Sequence, residues 1–138
     1  MRNRFDRQLD LLNEKLTAMG AMCEESIALV AKALSNGDLT LAEKVRSESE
    51  TIDGMEREIE NRCMKLLLHQ QPVAKDLRQI SAALKMITDM ERIGVQTRDI
   101  AEIIIFLKGQ SVSGVAIIED MARAPIKMVT QSVDAFVH

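Results

Sequence analysis

Asp53 and Glu91 are the side chains best placed to do chemistry in this sequence. Two helical patterns meet near Gln71-Pro72. Folding one back on the other brings Asp53 level with Met90 and Glu91, and Ser49 level with Gly94 and Val95. Positions 49 and 53 are one turn apart on one helix, as are 91 and 95 on the other. Carboxylates at all four positions would form an oxygen-rich cage for a hard cation or for iron. Only two of the four are acids, so the pattern favours a solvated acidic face over a tight metal site.

Other charged residues interrupt apolar stripes. Arg92 sits three residues after Asp89, which suits an ion pair on one helix. Asp76 and Arg78 follow the turn at Pro72, as a local pair or as part of a partner surface. Catalysis finds no support. The two histidines, His69 and His138, stand in no ExxH or HExxH arrangement. No serine has a histidine near it in the pattern, and there is no glycine-rich phosphate loop. The chain is therefore expected not to be an enzyme.

The 138 residues suit one domain with a real core. Three Phe, no Trp and no Tyr leave Leu, Ile, Val, Ala and nine Met to fill it, a mixture that favours helices. The net charge of −3, with both signs interspersed, argues against a nucleic-acid partner. No apolar run approaches the roughly 20 residues of a membrane span. The start, Met1 to Asp6, passes straight into charged helical pattern without a signal peptide. Cys23 and Cys63 lack CxxC spacing and are expected to be free thiols in a reducing compartment. The nine Met fall mostly on apolar stripes, which points to core filling.

The elements that position these residues follow from helical periodicity. The first helix is expected over 4–35, where apolar residues from Phe5 to Leu34 recur every three or four positions. Asn36-Gly37 stops it, and Asp38 or Thr40 caps the next. The second helix is expected over 39–69, with a stripe that thins between Val45 and Ile52. The third follows Pro72 over 73–108, with Leu77, Ile80, Leu84, Ile87, Ile93, Ile100 and Ile104 on one face. Short connections make neighbours antiparallel. The fold class is all-α: an up-down antiparallel three-helix bundle over 1–109. A linker at 110–114 leads to a fourth, C-terminal helical segment within 115–138, where Pro125 lies early or marks a kink. Met22 to Ile27 and Met128 to Val133 echo one another at an offset of 106 residues.

Three short motifs carry a family resemblance. Gln70-Gln71-Pro72-Val73-Ala74, then Asp76-Leu77-Arg78, then Asp89-Met90-Glu91-Arg92-Ile93-Gly94 closely resemble the signature of the PhoU family, phosphate-signalling proteins of bacteria and archaea. A looser likeness runs from about Phe5 to the C-terminus. The family is built from two three-helix repeats, so the resemblance implies one full repeat over 1–109 and the first part of a second over 115–138.

The same resemblance implies a regulatory adaptor that restrains phosphate uptake and phosphate-responsive signalling. Its implied partners are the ATPase of a phosphate ABC transporter and a sensor histidine kinase, at the cytoplasmic face of the membrane. Asp76, Arg78, Asp89 and Arg92 are the implied contact residues. The alternative is a metal-binding bundle, since PhoU proteins carry acid-xxx-acid motifs and some hold metal clusters. Asp53 and Glu91 match those motifs, and Asp99 stands where the family more often has Asn and could supply one oxygen. Ser49 and Val95 depart from them and weaken any site for Fe or Zn. A homodimer is expected through the apolar stripe of the last segment, which includes Met121, Met128, Val129, Val133, Phe136 and Val137.

Overall fold

The computed structural model describes residues 2–69, 72–108 and 115–138. They form four helices: α1 (Arg2–Asn36), α2 (Leu39–His69), α3 (Ala74–Phe106) and α4 (Val115–Val137). Among the described residues there is no strand. The linker expected at 110–114 lies outside them. The helix ends fall within a few residues of where periodicity placed them.

In α1, Phe5, Leu9, Leu12, Leu16, Met19, Cys23 and Ile27 are all buried, so the three-and-four spacing becomes one continuous inward face. Gly37 ends the helix at φ 62°, a conformation that glycine adopts without a Cβ clash. Asp38 then caps α2, accepting the Leu41 backbone N–H on Oδ1 at 3.1 Å. At α3 the N-cap residue Val73 makes no side-chain cap bond, and Asp76, buried, is an acidic residue in the first turn, where the helix dipole favours negative charge. The chain leaves α3 through Lys108 at φ 55°.

Helices α2 and α3 pack closely along their length, and both rest on α1. The tight point is Gly94: a Cβ there would lie 3.1 Å from Ile52 Cγ2. Helix α4 lies along α1, which is its one close helical neighbour among the described residues. It crosses at Gly20, where a Cβ would come 2.8 Å from Val133 Cγ2. Beside that point the Thr130 hydroxyl donates to Glu24 Oε1. These two residues are 106 positions apart, the offset at which the two helices echo each other.

The core divides in two. The larger cluster includes Leu12, Leu16, Met19, Cys23, Ile52, Ile59, Ile80 and Ile87 and takes in Val129 and Val133 of α4. The smaller holds Val30, Ala33, Ala42, Val45, Ala101 and Ile104. Between them lie buried Ser26, Glu48, Ser49 and Thr97. This polar layer is what the thin stretch of the α2 stripe encodes.

Several expectations change. Leu77 and Ile100 are 45% and 38% exposed, not buried; Ala83, Met90, Gly94, Thr97 and Ala101 take the inward face of α3 instead. Small residues hold the seam because α2 approaches too closely for isoleucine throughout. Met19 and Met90 fill the core as expected, but Met64, Met121 and Met128 are exposed. Pro125 lies well inside α4 with no break in the helix, and cannot donate to the Met121 carbonyl. Cys23 and Cys63 are free and buried. Burial pushes their thiols up to about 12 and about 11, and nearby Glu24 and Glu60 add to the effect.

Candidate functional site

Asp53 of α2 and Glu91 of α3 are both half-buried, and both lie near enough to Glu56 to act on its carboxyl. Asp53 is already engaged, accepting from Arg57 Nη1 at 2.8 Å. Asp99 is exposed and sits 3.6 Å from Arg98 Nη2. Ser49 is buried and donates to the Arg46 carbonyl at 3.0 Å. Folding about the turn had set Gly94 against Ser49; the structure sets it against Ile52. The acid that sequence reading missed is Glu56. Its carboxyl is raised first by burial, then by the charge and hydrogen bonding of Glu60, and further by Glu91 and Asp53. Glu60, Glu91 and Asp53 thus all lie near enough to Glu56 to oppose its charge, which makes this an acidic face. Among the described residues, no three His, Cys, Asp or Glu side chains gather closely enough to hold a metal ion.

The polar layer offers a second arrangement. Ser26 donates its hydroxyl to Glu48 Oε2 at 3.0 Å, and Thr97 donates to the Gly94 carbonyl at 3.0 Å. Burial pushes the Glu48 carboxyl up, Ser26 opposes the shift, and Glu25 adds to it. The folded state therefore holds this proton more tightly than the unfolded chain does. Glu48 contributes stability that is present in acid, below the unfolded carboxylate range, and lost as pH rises through its raised folded value. Glu56 acts in the same sense. Glu48→Gln should keep the Ser26 bond through its amide oxygen and remove the cost of burying charge. We expect this variant to be more stable than the parent at neutral pH and nearly equal to it in acid. Urea unfolding at the two pH values measures the difference; a variant less stable at neutral pH would contradict it.

The residues expected to meet a partner separate. Asp76 is only 1% exposed and so lies beneath the surface, not on it. Arg78 is exposed near the start of α3. Asp89 pairs with Lys85 Nζ at 2.8 Å, a closer partner than the expected Arg92, whose Nη1 is 4.0 Å away. The i,i+4 geometry with the flexible lysine outcompetes the i,i+3 arginine. Lys85, Asp89 and Arg92 form an exposed ionic edge on α3.

Beside that edge runs an apolar groove between α3 and α4, floored by α1. One hollow of about 320 Å³ is lined by Ile27 and Val30 of α1, Ile93 and Ile100 of α3, and Met121 and Pro125 of α4. A second, of about 260 Å³, continues past Met86, Met90, Pro125 and Met128, with Asp89 at its rim. No helix among the described residues is long and apolar enough to cross a membrane. The geometry suits docking against another helical surface rather than turnover of a small molecule.

Comparison with known proteins places this geometry in a family. Residues 16–104 match the family model described as PhoU domain. A "Phosphate-specific transport system accessory protein PhoU homolog" of Clostridium acetobutylicum is 37% identical over 135 residues, covering 96% of this chain and 62% of the relative. One from Pseudomonas aeruginosa is 34% identical, covering 96% of this chain and 55% of the relative. The crystal structure of PhoU from Pseudomonas aeruginosa superposes with a TM-score of 0.88 at 34% identity, covering 96% of this chain and 64% of that one. The chain thus spans less than two thirds of the length of these relatives.

Proposed function

The chain belongs to the PhoU domain family, and from that premise we propose that it is an accessory regulator of phosphate transport, not an enzyme. It works as a helical docking module at the inner face of the membrane. It restrains phosphate uptake and phosphate-responsive signalling by binding the transporter ATPase and the sensor histidine kinase. The match over residues 16–104 carries this reading. The exposed ionic edge of α3 supports it, because a row of alternating charges beside an apolar groove gives a docking partner both orientation and contact area. The contact of Glu24 with Thr130 at the 106-residue offset supports reading α4 as the opening of a second repeat.

Binding would act by conformational bias: the module shifts a partner only by its differential affinity for that partner's two states. The test is direct binding of the purified chain to the ATPase and to the kinase's cytoplasmic portion. We expect saturable binding to at least one of them. Reversing the edge with Asp89→Lys and Arg92→Glu should weaken it by about tenfold, chiefly by slowing association. Absence of binding to both would overturn the proposal.

A further inference from the structure

A hollow of about 460 Å³ opens between the start of α1 and the end of α2. Arg4 and Gln8, one turn apart, line it from α1; Glu58, Asn61, Arg62 and Lys65 line it from α2. This side of α1 is turned away from α4. At about 100° per residue, Arg4, Gln8 and Lys15 fall nearly opposite Gly20 and Glu24, which meet α4. The hollow is thus separate from the groove beside α3, and how α4 is covered does not bear on it. Its charge is one-sided: Arg4, Arg62 and Lys65 face a single carboxylate, Glu58, in a chain whose net charge is −3. That carboxylate is already engaged, its Oε1 lying 3.0 Å from Lys15 Nζ and 3.4 Å from Arg62 Nη2. Neither Arg4 nor Lys65 pairs with a carboxylate among the described residues. Arg62 is under-bonded: beyond the long contact to Glu58, its Nε is buried without a partner among the described residues. An unmet buried donor is costly, so this guanidinium gains much from a new acceptor and loses little by turning to one.

We propose that this hollow binds a compact anion carrying two or more phosphate groups. The planar guanidinium of an arginine matches a phosphate with two parallel N–H donors, and a lysine adds a point charge. The side-chain amides of Gln8 and Asn61 can donate to the remaining oxygens. The volume lies in the range of small-molecule sites, roughly 300–1,000 Å³. A single phosphate would leave most of it to water and could not engage cations on both helices at once. A ligand with two or more such groups can bridge Arg4 of α1 to Arg62 and Lys65 of α2. Two sources share this chemistry: a free short polyphosphate or organic diphosphate, and a lipid headgroup with two phosphates.

The test needs no transport component, so its failure leaves the proposed function standing. Calorimetric titration of the 138-residue chain with tripolyphosphate should show saturable binding of one ligand per chain, weakened by added salt. Arg4→Gln combined with Lys65→Gln should weaken it by about tenfold. Both side chains are exposed, so this variant should keep its helical circular dichroism and a cooperative melt. Arg123→Gln combined with Lys127→Gln removes the same charge from α4 and should leave the affinity unchanged. Glu58→Gln removes the one repelling group and frees Arg62 and Lys15, so it should tighten binding by about fivefold. Flotation with vesicles containing cardiolipin, whose headgroup carries two phosphates, separates the sources. Heat with tripolyphosphate but no capture by vesicles assigns the hollow to a free anion. Capture that the Arg4 and Lys65 variant loses assigns it to the headgroup. Either result supports the site. Neither heat nor capture would overturn it, as would equal weakening by the pair on α4 or a Glu58→Gln chain that binds no more tightly.

Discussion

Replacing Ile52 by alanine should destabilise the chain by about 2–5 kcal/mol, the range for truncating a fully buried isoleucine whose site cannot collapse. Ile52 has no exposed surface and sits over Gly94, close enough that a Cβ there would meet it at 3.1 Å. Neither helix can move in to fill the void without displacing packing along its whole length. The void would also border buried Ser49 and Glu48, so water that entered it would find polar partners. Against a typical total of about 5–15 kcal/mol, such a loss is large. Urea unfolding should show a lower midpoint with an unchanged slope. A loss below about 1 kcal/mol would contradict the packing described. A companion change gives an internal control. Gly94→Ala crowds Ile52 Cγ2 in the parent, but should recover part of the loss in the Ile52→Ala chain, where its methyl enters the void.

The second large effect concerns the seat of α4. Helix propensity alone says that Gly20 should become alanine, with a gain of about 1 kcal/mol. The structure gives the opposite sign. A Cβ at Gly20 would meet Val133 Cγ2 at 2.8 Å, and valine in a helix has little rotamer freedom with which to retreat. Gly20→Ala should therefore be destabilising or at best neutral. Gly20→Leu should cost about 3 kcal/mol or more and displace α4 from α1. The decisive measurement is the alanine change in two backgrounds. In a Val133→Ala chain the obstruction is gone, and Gly20→Ala should stabilise. The same sign in both backgrounds would show that α4 does not sit as described.

The sequence-based expectations held where one spacing had one meaning. The α1 face from Phe5 to Ile27, the stop at Gly37 and the cap at Asp38 each rest on a local rule that packing does not override. The same rules failed where burial depends on a neighbour. Nothing local distinguishes buried Glu48 from exposed Glu50, because both stand in one polar run. Leu77 and Ile100 matched the stripe of α3, yet the helix turns them outward and gives the inward places to Gly94, Thr97 and Ala101. The acidic face was found through Asp53 and Glu91, but Glu56 depends on the α2–α3 register and was not legible. Asp76 stood in a recognised motif, and only the folded chain shows that its carboxylate is buried.

Because α4 has α1 as its one close helical neighbour among the described residues, it need not share the fate of the other three helices. Helices α1, α2 and α3 all touch one another and should open together. Helix α4 can lift away while they stay folded, losing its contacts around Gly20, Val129 and Val133. Its backbone amides should then exchange with deuterium through a subglobal opening, whereas those at the centres of the other three await global unfolding. A lower opening free energy for α4 than for the other three helices is the expected outcome, read from the exchange rates of its amides.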